Sequence, residues 1–259
     1  MGAEPSFGNR VMIVTGASEG IGRATARTLA RRGAHVALCA RRPGPLEETA
    51  DALRVEGGSV EAHPLDVADL DAFAALIADV ARRRGRLDGL VNNAMAASYK
   101  ALDDLDIADW RRDFAVNAEA PFVGTREALR IMRAQGHGAI VNISSACGIR
   151  AMPGMASYSA SKAALVHFSA CAAIEAAPCG VRVNCIVPGQ IATPATQAFA
   201  AAQPETAGAI TAAIPMRRSG EPEEVAETIA FLLSDVAAYI TGIALPVDGG
   251  KAMQLYMPG

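Results

Sequence analysis

Tyr158 and Lys162 stand four residues apart in the run Tyr158-Ser159-Ala160-Ser161-Lys162, and Ser145 lies thirteen residues upstream. A phenol, an ammonium and a hydroxyl of this kind can run a proton-coupled redox step at a carbonyl. The stretch from Ser157 to Ala177 lacks glycine and spaces Ala160, Ala164, Phe168 and Cys171 at helical intervals, so a helix is expected there. Residues four apart on a helix share a face, which would set Lys162 beside Tyr158. A neighbouring positive charge favours the phenolate and would lower a phenol from its reference value of about 10. Tyr-x-x-x-Lys is also a common accident of helices, so its meaning depends on the elements that position it.

Those elements alternate. Short β-rich runs at Val11–Val14, Val36–Cys39, Leu87–Val91, Ala139–Ile143, Val181–Ile186 and Ile243–Val247, with a weaker one at Ser59–His63, predict seven strands. Between them run helical patterns at about 20–32, 45–56, 69–84, 107–134, 157–177 and 221–234. Alternation of this kind, with near-continuous apolar strands, predicts a doubly wound α/β Rossmann fold: one seven-stranded parallel sheet with helices on both faces. No repeat, linker or charge block divides residues 1–259, which reads as a single domain. One segment, about 189–216, carries Pro194, Pro204 and Pro215 and leaves the carboxyl edge of a strand, where such sheets bind ligands. It is expected to be a substrate-covering loop or, equally, an accessory helix pair from its Ala-rich stretch.

The chain has 259 residues, 51% of them hydrophobic and 20% charged, with net charge −3. That composition is ordinary for a globular protein, and nothing basic points to nucleic acid or an anionic membrane. The amino end, with Glu4 and Pro5, lacks an apolar core, and no long apolar run follows, so a cytoplasmic location is expected. Five cysteines form no Cys-x-x-Cys pair and read as buried reduced thiols, and four histidines read as isolated, so no metal site is expected.

Thr15-Gly16-Ala17-Ser18-Glu19-Gly20-Ile21-Gly22 follows the first strand and opens the first helix. Glycines there let backbone N–H groups and a helix N-terminus approach a pyrophosphate, so a dinucleotide is expected. The second strand ends in Ala40-Arg41-Arg42, with no carboxylate before Glu47 to accept from a free ribose hydroxyl. Two guanidiniums suit a 2′-phosphate, so NADP(H) is expected ahead of NAD(H), with Glu19 as an opposing charge unless it turns away or pairs with an arginine.

In order and approximate spacing, these motifs, with Asp66-Val67, Asn92-Asn93-Ala94, Asn117, Ile143-Ser144-Ser145, Pro188-Gly189 and Val247-Asp248-Gly249-Gly250, resemble the short-chain dehydrogenases/reductases from about Arg10 to Gly250. The resemblance implies that Gly16, Ser18, Gly20, Ile21, Gly22, Arg41 and Arg42 hold the cofactor phosphates. It implies that Asp66 and Val67 meet the adenine, and that Asn93 and Ala94 meet the ribose region. Pro188, Gly189, Ile191 and Thr193 would face the nicotinamide. Ser145 would orient the substrate oxygen, Tyr158 transfer the proton, Lys162 bind ribose hydroxyls and depress the Tyr158 pKa, and Asn117 maintain a path from Lys162 to solvent. From the residues alone, Asp66 could instead cap the helix starting near Asp69, and Asn117 could serve the backbone. Met95 departs from the family pattern, which has glycine there.

The resemblance implies an NADP(H)-dependent ketone/secondary alcohol oxidoreductase, assembled as a homotetramer. Met95, Met152 and Met155 with Ile149, Ile191, Phe199 and Met216 are candidate pocket residues for a small apolar substrate. A β-ketoacyl thioester reductase is the alternative, although Gly136 and Cys179 occupy the positions aligned with that group's basic residues, with Arg133 and Arg150 nearby. An enoyl reductase spaces its tyrosine and lysine more widely. A nucleotide-sensing relative without turnover should have lost a catalytic residue, and none is lost.

Overall fold

The computed structural model describes residues 6–254; Glu4 and Pro5, on which the reading of the amino end rests, lie outside them. Seven parallel strands form one sheet in the order β3-β2-β1-β4-β5-β6-β7. They are β1 (Val11–Thr15), β2 (His35–Ala40), β3 (Ser59–Pro64), β4 (Gly89–Asn92), β5 (Gly138–Ile143), β6 (Val181–Pro188) and β7 (Ala244–Val247). The expected doubly wound fold is the fold observed.

Side chains alternate across each strand, which divides the core in two. Met12, Val14, Val36 and Leu38 pack under α1 (Gly20–Arg31), α2 (Pro43–Val55) and α9 (Pro222–Leu233). Val11, Ile13, Ala37 and Cys39 pack under α3 (Leu70–Arg84), α5 (Ala120–Gln135) and α6 (Ala156–Ala176). Burial on both faces is why these strands read as continuous apolar runs.

The continuous helix expected at 107–134 is interrupted. α4 (Ile107–Phe114) passes into a π-helical turn at Ala115–Glu119 before α5 begins with Pro121 in its first turn. The wide turn sits at Asn117, whose fully buried side chain leaves the helix to bond the Ala96 backbone. β4 starts two residues later than expected, because the Gln135 side chain takes the place of a strand at Leu87, accepting from its N–H and donating to its carbonyl, both at 2.8 Å.

The segment 189–216 contains two short helices, α7 (Pro194–Ala202) and α8 (Pro204–Ala212), each with proline in its first turn. α7 has no buried residue and α8 only Ala207, so the pair is lightly anchored.

Three local expectations are corrected. On α6 the buried face carries Tyr158, Ser161, Lys162, Leu165, Ser169 and Ala172, whereas Ala164 and Cys171 are exposed and Ala160 and Phe168 half-buried. The polar residues face the core because Asn142, Ile143 and Asn117 supply partners there. All five cysteines are free, but only Cys39 and Cys185 are buried. The histidines are not all isolated from acids: Glu61 lies 3.5 Å from His35 and 3.4 Å from His63, since alternate residues of β3 share a face and β2 lies alongside. Among the described residues no such group has the makings of a metal site, and no helix is long and apolar enough to cross a membrane.

Candidate active site

The carboxyl edge of the sheet gathers the candidate proton-handling groups. β5 ends at Ile143, and the next two residues divide the work. Ser144 is buried, and its hydroxyl donates to the Lys162 carbonyl at 2.9 Å; Ser145 is half-buried, its hydroxyl accepts from the Cys147 amide at 3.2 Å, and it favours the ionised form of the neighbouring Tyr158 phenol. Lys162 donates from Nζ to the Ile143 carbonyl at 2.8 Å and lies 5.8 Å from the centre of the Tyr158 ring. Asn117 Oδ1 accepts from the Ala96 amide at 3.0 Å, while its Nδ2 donates to the Ala96 carbonyl at 2.7 Å and to Ser161 Oγ at 3.0 Å. Loop, π turn and α6 are thereby one hydrogen-bonded unit, and Asn117 does serve the backbone.

The electrostatics differ from the expected lowering. Burial pushes the Tyr158 phenol well above its ordinary value, outweighing the nearby Ser145 hydroxyl, which pulls it down. Burial likewise pulls the Lys162 ammonium down to about 8. Desolvation opposes the charged form of each partner, so the phenol holds its proton at neutral pH.

The second part of the edge is a cradle of backbone. α1 starts at Gly20 with no side-chain cap and no acid in its first turn, leaving its first N–H groups without side-chain acceptors and directed at the loop. A Cβ on Gly22 would stand 2.2 Å from the Gly16 carbonyl oxygen, and one on Gly16 2.7 Å from Asn93 Nδ2. Thr15 Oγ1 accepts from the Asn93 and Ala94 amides at 2.9 and 3.0 Å, and Asn93 Nδ2 donates to the Thr15 carbonyl, stitching β1 to the exit of β4. Thr193 caps α7 and sets its methyl against Gly20, and Gly189 passes so close to Asp248 that a Cβ would meet its backbone at 2.8 Å. This cradle fits a pyrophosphate.

At the end of β2, Arg41 and Arg42 are exposed. Arg42 pairs with Glu19 at 2.6 Å and Arg41 approaches Asp66 at 3.9 Å. Glu19 therefore pairs with an arginine, one of the two arrangements that relieve its opposition to a phosphate. Asp66 does not cap α3; Asp69 does, while Asp66 turns its own loop by accepting from the Ala68 amide. Val67 is buried in the core below.

The comparisons with known proteins agree with this geometry. A family model described as enoyl-(acyl carrier protein) reductase matches residues 16–252. A cis-4-hydroxycyclohexanecarboxylate dehydrogenase of Sinomonas cyclohexanicum is 43% identical over 250 residues, 95% of this chain and 97% of that one. The chain belongs to the short-chain dehydrogenase/reductase family. A cyclopentanol dehydrogenase of Comamonas sp. is 36% identical over 93% of this chain and 96% of its own length. A 3-oxoacyl-[acyl-carrier-protein] reductase of Thermotoga maritima is 38% identical over 93% and 97%. Among solved structures, a Beutenbergia cavernae chain with NADP at low occupancy superposes with TM-score 0.92, 39% identity and coverage of 96% and 99%. An NAD⁺-bound xylitol dehydrogenase gives 0.89 and 32%, covering 94% and 99%. As a member of this family, the chain is an NAD(P)-dependent oxidoreductase.

Of the candidate pocket residues, Met95, Met152, Phe199 and Met216 are exposed, whereas Met155 and Ile191 are buried and therefore serve packing more than a cleft wall. Met155 takes part in a backbone bridge to Lys100, and Ile191 joins the core below α9. Cys147, 3.9 Å from the Met152 sulfur, and Tyr99 are neighbours of Tyr158 that the sequence reading did not single out. Asp113 is a third. Its turn also carries Asp109, Arg111 and Arg112, so nothing in the sequence marked Asp113 as buried.

Proposed function

We infer that the protein interconverts a ketone and a secondary alcohol with NADP(H), NAD(H) being the second choice. The observation that carries this reading is the buried Tyr158–Lys162 pair at the carboxyl edge, Nζ 5.8 Å from the centre of the phenol ring, with Ser145 nearby and beside a glycine cradle with uncapped helix N–H groups. Arg41 and Arg42, with no acid at the end of β2, support NADP(H). Hydride chemistry is what the nicotinamide supplies when bound.

The chain's own residues do the rest. Gly16, Ser18, Gly20, Ile21 and Gly22 hold phosphate, and Lys162 holds ribose hydroxyls. Asp66 and Val67 flank the adenine, Asn93 and Ala94 the ribose, and Pro188, Gly189, Ile191 and Thr193 the nicotinamide. Ser145 orients the substrate oxygen, and Tyr158 gives that oxygen its phenolic proton as charge develops there. Asn117 holds the Ala96 backbone that closes the unit and maintains the path from Lys162 to solvent. In the oxidative direction Tyr158 must first lose its proton, so the raised phenol makes alcohol oxidation rise with pH.

The exposed Met95, Tyr99, Met152, Phe199 and Met216 support a small apolar substrate under α7 and α8, as do relatives named for carbocyclic alcohols. A β-ketoacyl thioester is the second reading, favoured by the Thermotoga maritima relative. Exposed apolar side chains on α5, α6 and just after α9, including Phe122, Ile174, Val236 and Tyr239, support assembly as a homotetramer. The chain acts as one domain, in the cytoplasm.

The test is turnover of cyclopentanone, 4-oxocyclohexanecarboxylate and acetoacetyl-CoA with each reduced cofactor. We expect carbocyclic ketones to be reduced with a higher kcat/KM for NADPH, and Arg41→Ala to erode that preference. Activity confined to the thioester would overturn the substrate reading. A wild-type preference for NADH would overturn the cofactor reading.

A further inference from the structure

Asp113 is fully buried on α4, and its carboxylate joins two walls of the active site. Oδ2 accepts from the Ser98 amide at 3.0 Å and from the Ser157 hydroxyl at 2.6 Å. Ser98 belongs to the loop that leaves β4 and presents Met95 and Tyr99; Ser157 immediately precedes Tyr158 in the first turn of α6. Oδ1 has no hydrogen-bond partner, and the nearest cation, Arg112, stands off at 3.7 Å while donating to Ser98 Oγ at 2.8 Å. Burial of a carboxylate with one oxygen unbonded costs stability. The geometry points to Asp113 as a positioning residue: it clasps the 95–99 loop to the start of the catalytic helix and sets a negative charge next to the residue that precedes Tyr158.

The groups that face this pair are few. On α4, Arg112 also pairs with Asp109 at 3.0 Å, and Asp109 is paired with Lys100 of the loop. Tyr99 and Cys147 face Tyr158 from the loop and from the turn after β5, Ser145 is a further neighbour that favours its ionised form, and Lys162 lies on the same helix. Lys162 donates to the Ile143 carbonyl and is lowered by its own burial, so the cation that partly offsets the Asp113 charge is Arg112, 3.7 Å from Oδ1. Asp113 adds to the rise of the phenol, and also to that of Tyr99. A buried negative charge near a phenol favours the protonated acid, the form that delivers a proton to a ketone.

The inference rests on Tyr158 as the proton-transfer group, and its test is separable from that assignment. The titration of Tyr158 is read by NMR of protein labelled at the tyrosine ring carbon that bears the hydroxyl, with the resonance assigned by Tyr158→Phe; no substrate is required. Asp113→Asn and Asp113→Thr remove the charge and keep a polar group, whereas Ser157→Ala removes one bond and keeps the charge. We expect either neutral variant to lower the Tyr158 midpoint by about half a unit or more. Ser157→Ala should leave the midpoint within about a fifth of a unit, on the scale where one unit is a tenfold change in ionisation. With cyclopentanol, the oxidation profile of the neutral variants should move to lower pH by the same amount, and KM should rise more than kcat falls because the Met95–Tyr99 wall loosens. An unchanged midpoint in both neutral variants, or an equal shift in Ser157→Ala, overturns the proposal. Near-normal turnover in Tyr158→Phe would instead overturn the assignment of Tyr158.

Discussion

Asp88 and Asp113 are both buried carboxylates, at opposite edges of the same sheet. At the amino edge Asp88 accepts from the Val11 amide at 2.8 Å, from Arg86 Nε and Nη2 at 2.7 and 2.6 Å, and lies 3.1 Å from His137 Nε2. Burial opposes its charge, but the Arg86 fork, the amide and His137 prevail and hold it below the usual carboxylate range. Nearby, Arg182 donates to the carbonyls of Leu232 and Ser234 and Gln135 completes Leu87. At the carboxyl edge Asp113 keeps an unbonded oxygen, α1 starts uncapped, and Tyr158 and Lys162 are buried against their charges. Where polar groups are satisfied the edge supplies stability, and where they are left short the edge is available for a ligand and for proton movement.

The sharpest way to break this division is Tyr158→Phe. Turnover should fall by about a thousandfold while NADPH affinity and thermal midpoint stay near wild type; a large loss of stability would mean that the carboxyl edge is structural too. Next is Gly22→Ala, whose Cβ would stand 2.2 Å from the Gly16 carbonyl. NADPH affinity should drop by about tenfold or more, equivalent to about 1.4 kcal/mol, as the cradle opens, checked by fluorescence titration.

Asp88→Asn tests the other edge. It should cost on the order of 2 kcal/mol in denaturant unfolding, with kcat unchanged for folded protein. Because the folded carboxyl is lower than in the unfolded chain, its contribution is complete above the unfolded value of about 3.9 and is lost as pH falls through the folded one. The variant should flatten that acid limb, and an unchanged limb would refute the account. The smallest effect is expected of Glu19→Gln. It frees Arg42 and should raise the NADPH-to-NADH ratio of kcat/KM by about two- to fivefold, since exposed pairs are weak.

The sheet was legible because buried parallel strands advertise themselves as apolar runs, and the glycine loop because its position after β1 is part of the signal. Tyr158, Lys162 and Ser145 were placed together correctly by spacing. What spacing could not show was the sign of their electrostatics, which burial decides. The α6 stripe misled for a related reason: Ala164 and Cys171 are apolar yet exposed, while Ser161, Lys162 and Ser169 go inward to buried partners. Asp113 was passed over because its partners, Ser98 and Ser157, lie fifteen and forty-four residues away. The π turn at Asn117 was invisible because local propensity continues through it.

The thin anchoring of α7 and α8 bears on time as much as on shape. With one buried residue between them, these helices are held by far less free energy than the sheet, so they can lift and settle many times within the lifetime of a single folded molecule. Thr193, capping α7 with its methyl on Gly20, links those excursions to the glycine loop, so under the proposed roles entry at the substrate end and grip at the phosphate end share one clock.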